Sequence, residues 1–252
     1  MATPVALITG ASAGLGVDFA RQLSAKGYRL VLVARRKDRL AALAAELGHA
    51  RAVACDLGKP GAVAELMADV AAAGETVSLL VNNAGFGLGG RFAELDGQRQ
   101  RAMIDLNCGA LVELAHAVLP DMLVKKRGAI LNVASTAAFQ PGPGMAVYFA
   151  TKAFVLSFSE ALNEELRGKG VNVTALCPGP TATEFSQVAG FGPNAALDRF
   201  SGVSTDVVRA GIEGLEAGKA IVIPGLLNRA GAQGHRLLPR SWLRRIAGAI
   251  KP

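Results

Sequence analysis

The chain has 252 residues, 51% of them apolar and 19% charged, a composition that excludes a disordered protein and is sufficient for a substantial buried core. Its formal net charge of +7 sits mostly in residues 229–252, which carry Arg229, Arg236, Arg240, Arg244, Arg245 and Lys251 and no acid, so no nucleic-acid binding by the nearly neutral body is expected. No uninterrupted apolar stretch approaches a membrane span, and the first strand-like run begins at Val5, too early for a signal segment, so a soluble or at most peripheral protein is expected.

Strand-like runs at 5–9, 29–34, 51–55, 78–82, 129–134, 171–176 and 220–223 alternate with helical patterns at 15–26, 37–47, 60–73, 97–123, 148–167 and 205–217. Continuous apolar strands separated by helices predict an α/β fold, a doubly wound, mostly parallel seven-stranded sheet with helices on both faces, Rossmann-like and a single domain. Cys55, Cys108 and Cys177 lie far apart without metal or CxxC spacing. They read as reduced thiols of a cytoplasmic protein, and no metal site is expected.

The first strand runs into Thr9-Gly10-Ala11-Ser12-Ala13-Gly14-Leu15-Gly16 and then a helix. Glycines there let the backbone approach a pyrophosphate, and the helix N-terminus offers free N–H groups to its charge. A bare strand-to-helix turn is the alternative, but the position at the head of a βαβ unit favours dinucleotide binding. The second strand ends in Ala34-Arg35-Arg36 with no acid to receive ribose hydroxyls. Arg35 is suited to a 2′-phosphate, while Arg36 is read as solvated or as a second cofactor contact, so NADP(H) is expected rather than NAD.

Tyr148 and Lys152 are four apart at the start of a helical pattern and share a face. A neighbouring ammonium, with a positive nicotinamide ring, would favour the phenolate and lower the Tyr148 pKa. Ser135, at the end of the fifth strand, is the third member of this group. A serine hydrolase is disfavoured: Ser135 lacks a Gly-x-Ser-x-Gly elbow, and His49, His116 and His235 have no triad context.

The Gly-x3-Gly-x-Gly spacing of Gly10, Gly14 and Gly16, with Asp56-Leu57, Asn82-Asn83-Ala84-Gly85, Asn107, Ser135, Tyr148-x3-Lys152 and Pro178-Gly179 in order, resembles the short-chain dehydrogenase/reductase family from Val5 to about Gly225. The resemblance implies that residues 1–228 form a cofactor-binding and catalytic domain, with 229–252 a tail. It implies cofactor contacts from Gly10, Ser12, Gly14, Leu15 and Gly16, from Asp56 and Leu57 around the adenine, and from Asn83, Ala84 and Gly85 near the nicotinamide ribose. Tyr148 and Lys152 would hold that ribose, and Pro178, Gly179, Thr181 and Thr183 would cover the nicotinamide. Ser135 would orient a carbonyl, Tyr148 would act as general acid/base, and Asn107 would position a water linking Lys152 to solvent. Ala13 departs from the pattern, since many NADP-preferring relatives carry a basic residue there. The family also implies a homodimer or homotetramer built on the long fourth and fifth helices.

Phe86, Phe139, Met145 and Phe149, with a lid over 184–204 containing Phe185, Phe191, Leu197 and Phe200, predict a pocket for a small, hydrophobic carbonyl or alcohol. From Ser241 the tail places Trp242, Leu243, Ile246, Ala249 and Ile250 on one helical arc, opposite Arg240, Arg244 and Lys251. Two readings stand for it: peripheral contact with an anionic membrane, or packing on the protein. The rival function is a non-catalytic NADP(H)-sensing protein of the same fold. A sugar-nucleotide epimerase is less favoured, because the chain has no extra substrate domain and a different glycine spacing.

Overall fold

The computed structural model describes residues 3–181, 184–185, 189–190, 202–234, 242 and 244–245. Side chains alternate across its first strand, β1 (Val5–Thr9): Ala6 and Ile8 enter one apolar layer, Val5 and Leu7 the other. The second strand, β2 (Arg29–Ala34), repeats this with Leu30 and Leu32 against Val31 and Val33. Both faces of the strands are thus covered, the physical reason they read as uninterrupted apolar runs.

The other strands are β3 (Ala50–Ala54), β4 (Val77–Asn82), β5 (Gly128–Val133), β6 (Val171–Leu176) and β7 (Ile221–Val222). All are parallel, in the order β3-β2-β1-β4-β5-β6-β7. The seven predicted runs are the seven strands, with ends shifted by one residue at β3, β4 and β5 and two pairing residues at the last. One face packs α1 (Leu15–Ala25) and α2 (Lys37–Leu47), with Phe19, Leu23 and Leu40 fully buried. It is completed by a helix at Ser204–Glu216, here α7. The opposite face packs α3 (Ala62–Ala72), α5 (Leu111–Val124) and α6 (Ala146–Glu165) through Leu66, Val70, Leu114, Val118 and Phe158. Each fully buried Leu or Phe contributes about 1.5–3 kcal/mol.

The predicted helix at 97–123 is α4 (Gly97–Ile104) joined to α5 by a π-helical turn, Asp105–Ala110, that carries Asn107. By length and composition Gly97–Val124 could cross a membrane. Its apolar residues instead serve the core: Leu111, Leu114, Ala115, Val118 and Met122 are buried. A further helix, α8 (Leu226–Gly234), runs across the 228/229 division expected from sequence. In the tail, Trp242, Arg244 and Arg245 are exposed. Arg240, Leu243, Ile246, Ala249, Ile250 and Lys251 of the predicted arc lie outside the described residues.

A buried polar chain ties β4 and β5 to α6. Asn82 Nδ2 donates to Asn132 Oδ1 (3.0 Å), Asn132 Nδ2 to Ser159 Oγ (2.9 Å), and Ser159 Oγ to the Val155 carbonyl (2.6 Å). Asn132 and Ser159 have no exposed surface. Removing the middle member takes one buried partner each from the Asn82 amide and the Ser159 hydroxyl and opens a cavity, so Asn132→Ala should cost about 2–4 kcal/mol, read as a lowered urea midpoint.

Candidate active site

The chain order of the strands reverses at β1 and β4, whose C-terminal ends therefore border an open crevice. Buried Thr9 joins these ends: its Oγ1 accepts from the Asn83 and Ala84 N–H groups (both 2.9 Å) and donates to the Val81 carbonyl (3.3 Å). Asn83 Nδ2 reaches back to the Thr9 carbonyl (2.9 Å) and the Gly10 carbonyl (3.3 Å). Thr9 was not singled out from sequence as a site residue; a hydroxyl ending an otherwise apolar strand was the available signal.

The Gly-rich turn has the close approaches its glycines predict. Gly10 has φ +67°, and a Cβ there would fall 2.8 Å from Asn83 Nδ2. A Cβ on Gly16 would lie 2.2 Å from the Gly10 carbonyl oxygen. Gly14 has φ +52° and precedes α1, whose first turn has no side-chain cap. Ser12 and Leu15 in the same turn are half-buried. A tight, uncapped turn at a helix start is suited to a phosphate. Nearby, half-buried Asp56 accepts from the Gly58 N–H (3.3 Å). Leu57 and Ala84 line a small recess with Leu106 and Ala110.

The two arginines after β2 differ in placement from the simplest expectation. Arg35 is exposed, with no side-chain hydrogen bond or ion pair among the described residues. Arg36 is not merely solvated: its Nε and Nη2 donate to Ser12 Oγ and the Ser12 carbonyl (both 3.2 Å), and its Nη1 to Glu184 (2.9 Å). Arg39 Nη1 binds the other Glu184 oxygen at 2.6 Å. The strand ends at Ala34, so strand alternation no longer dictates which arginine turns inward. Donors that already hold a carboxylate are chemically suited to a phosphate.

Tyr148 and Lys152 lie one turn apart near the start of α6, 8% and 7% exposed. Lys152 Nζ sits 5.8 Å from the Tyr148 ring centroid and donates to the Val133 carbonyl at 2.8 Å. Burial pushes the ammonium down to about 8. The phenol moves in the direction opposite to that expected from sequence: burial pushes Tyr148 up to about 12, and the Ser135 hydroxyl, which favours the phenolate, offsets only part of this. Ser135 leaves the end of β5 in extended backbone, accepts from the Ala137 N–H (3.1 Å) and donates to the Pro178 carbonyl (3.4 Å). Ser135, Tyr148 and Lys152 are therefore brought together.

Asn107 stands beside them. Its Oδ1 accepts from the Phe86 N–H (3.1 Å), and its Nδ2 donates to the Phe86 carbonyl (3.0 Å) and Thr151 Oγ1 (3.1 Å). The π-helical turn lets one amide reach both the loop after β4 and α6. A Cβ on exposed Gly85 would fall 2.9 Å from Asn107 Oδ1 and 3.8 Å from Lys152 Nζ.

An apolar wall surrounds Tyr148: its ring is 5.2 Å from Phe185 and 6.1 Å from Phe149, with Met145, Phe86 and Leu88 in the same cluster. Gly87, unremarked in the sequence, is small because a Cβ there would lie 2.7 Å from Phe185 and 3.0 Å from Met145. Phe139, expected in this pocket, packs in a separate cluster with Val155 and Ala232 of α8. Pro178 is buried, Thr181 Oγ1 donates to the Gly179 carbonyl (3.0 Å), and Asn228 of α8 fills the space beside Gly179. Thr183, Phe191, Leu197 and Phe200 lie outside the described residues.

The sequence profile of the short chain dehydrogenase family matches residues 4–190. An NADP-dependent 3-hydroxy acid dehydrogenase of Salmonella typhi is 41% identical over 187 residues, 73% of this chain and 75% of that protein. A short-chain dehydrogenase from Sphingobium yanoikuyae, solved in complex with NADPH, is 34% identical with a TM-score of 0.83, covering 99% of this chain and 96% of that one. The bulky-bulky ketone specific alcohol dehydrogenase from Comamonas testosteroni is 31% identical with a TM-score of 0.78, covering 96% of this chain and 97% of that one. The Gly-rich turn, the ordered motifs and these matches agree: this chain belongs to the short chain dehydrogenase family.

Proposed function

We propose that this oxidoreductase uses NADP(H) to interconvert a hydrophobic carbonyl compound and its alcohol. The observation that carries the reading is the convergence of Ser135, Tyr148 and Lys152 at the C-terminal end of β5. When bound, the dinucleotide supplies or accepts a hydride at its nicotinamide. Ser135 donates a hydrogen bond to the substrate oxygen, and Tyr148, neutral at physiological pH because burial holds its pKa near 12, donates the proton. Lys152 returns a proton to Tyr148, and Asn107 positions the water that connects Lys152 to solvent. The NADP-dependent Salmonella relative and the NADPH-bound Sphingobium structure support the cofactor, as does Arg36, which is bonded to Ser12 of the Gly-rich turn.

The wall of Phe86, Leu88, Met145, Phe149 and Phe185 carries no charge. That favours an uncharged ketone or aldehyde over a 3-hydroxy acid, and the Comamonas enzyme is named as bulky-bulky ketone specific. Free thiols at Cys55, Cys108 and Cys177 support a cytoplasmic location. Phe154 on α6, 45% exposed and stacked on Phe158, with exposed Ile104 and Val124 on the long helix, supports a homodimer or homotetramer built on these helices.

The proton relay has a pH signature. Lys152 is lowered from 10.5 to about 8 by burial, so it is charged below pH 8 and loses its proton above. The rate of ketone reduction should be flat to about pH 8 and then fall about tenfold per unit, while alcohol oxidation, which needs Tyr148 to release its proton, rises over the same range. Steady-state rates in both directions from pH 6 to 10 check this. A reduction rate that rises above pH 8 would remove Lys152 from the relay.

A further inference from the structure

Thr151 stands between the two reacting side chains of α6, three residues after Tyr148 and one before Lys152, and is only 3% exposed. A threonine hydroxyl has one hydrogen, and here it is committed: Oγ1 donates back along the helix to the Tyr148 carbonyl at 2.7 Å. Toward any other neighbour this hydroxyl can only accept, and what it accepts is an N–H of the Asn107 carboxamide (3.1 Å). Cys108 Sγ, from the next residue of the π-helical turn, donates to the Thr151 carbonyl (3.8 Å). Two consecutive residues of that turn are thus docked on one residue of α6.

The other N–H of Asn107 goes to the Phe86 carbonyl (3.0 Å), and its Oδ1 takes the Phe86 N–H (3.1 Å). A carboxamide has two N–H hydrogens and two carbonyl lone pairs. Both hydrogens are engaged and one lone pair is left, so the side chain of Asn107 can offer its surroundings an acceptor and no donor. Oδ1 and Lys152 Nζ border the same space over Gly85, 2.9 Å and 3.8 Å from where a Cβ would stand. An ammonium only donates, so a water beside Lys152 accepts from it and needs an acceptor for its own hydrogens. A freed Asn107 N–H would instead compete with the ammonium for the oxygen of that water.

We propose that Thr151 is a positioning residue of the proton relay: by holding the second Asn107 N–H against the Tyr148 backbone, it keeps the Asn107 carboxamide an acceptor toward Lys152 and in register with Tyr148. This rests on the reading in which Asn107 positions the water that connects Lys152 to solvent. It also gives the buried position its chemistry, since a methyl in place of the hydroxyl would fill the same space without engaging Asn107.

The test uses NADPH and the fastest-reduced ketone of a hydrophobic panel, with Thr151→Val, which keeps the shape and removes the hydroxyl, and Thr151→Ser, which keeps the hydroxyl. Thr151→Val should lower kcat about ten- to a hundredfold, with KM for the ketone and Kd for NADPH within about twofold. Its solvent deuterium isotope effect on kcat should exceed that of the wild type, because return of the proton then limits the rate, and Thr151→Ser should restore both quantities. Thr151→Ala, which removes the hydroxyl without a branched methyl in its place, carries the same expectation if Thr151→Val does not fold. A merely structural role would shift α6 and with it Val147, Tyr148 and Phe149 of the apolar wall, raising KM for the ketone and leaving the isotope effect alone. That result, a wild-type kcat, or a loss that Thr151→Ser does not restore overturns the proposal. Asn107→Ala separates it from the reading beneath: if Asn107→Ala reduces the ketone at the wild-type rate, the relay through Asn107 falls first and the role of Thr151 with it. If Asn107→Ala is slow and Thr151→Val is not, the proposal alone falls.

Discussion

Tyr148→Phe should lower the rate of ketone reduction by about 10²- to 10⁴-fold while the affinity for NADPH stays within a few-fold. The substitution removes only a hydroxyl. The ring keeps its packing on Phe149, Phe185 and the Gly87 backbone, so the wall of the site stays in place. The loss of the hydroxyl's interaction with Ser135 costs about 1 kcal/mol of stability, far less than the 3–5 kcal/mol of barrier implied by the rate loss. Single-turnover rates and a fluorescence titration of NADPH separate the two effects. A variant within tenfold of wild type would move the proton donor elsewhere. One that kept a biological effect would favour a nucleotide sensor.

The second large effect is expected at the other end of the crevice. A Cβ on Gly16 would sit 2.2 Å from the Gly10 oxygen and 2.8 Å from the Gly10 carbonyl carbon, both backbone atoms of the turn. Gly16→Ala must therefore force the turn away from α1 rather than move a flexible side chain. Such strain costs about 1–3 kcal/mol of stability. Because misplacing binding groups by about 1 Å can cost two orders of magnitude, NADPH affinity should fall about 100-fold. Gly231→Ala in α8 is the control, since its Cβ meets open space; it should bind NADPH as wild type does. Thermal melts with and without NADPH read both quantities. Undiminished ligand stabilisation in Gly16→Ala would mean that the turn does not cradle the dinucleotide.

Features fixed by local chemistry were legible in the sequence. The central strand runs, such as β1 and β2, showed because those strands are buried on both faces, and Tyr148 with Lys152 because one helical turn separates them. Gly10 and Gly16 were legible through the close approaches that only glycine permits. Features that depend on tertiary placement were not. Arg35 and Arg36 are neighbours just past the end of β2, where the period of two lapses, and only the packed turn shows that Arg36 faces Ser12. Glu184 is 145 residues from Arg39, and no local pattern joins them. The direction of the Tyr148 shift was misjudged because spacing reveals the nearby Lys152 but not the burial that pushes the phenol up. Asn107 was identified by its motif, yet its two-sided grip depends on a π-helical turn that a 3.6-residue period does not announce. Helix α8 was missed because its stretch, Leu-Leu-Asn-Arg-Ala-Gly-Ala-Gln-Gly, is only nine residues long and carries two glycines, which disfavour a helix.

The most direct test of hydride transfer is to supply NADPH deuterated at both C4 positions with a panel of hydrophobic ketones and aldehydes, and to read the alcohols by mass spectrometry. The structure predicts one deuterium on the carbinol carbon with the wild-type chain, and a rate of labelling lower by about 10²- to 10⁴-fold with Tyr148→Phe. Equal labelling by both proteins, or alcohols that form without deuterium, would contradict it.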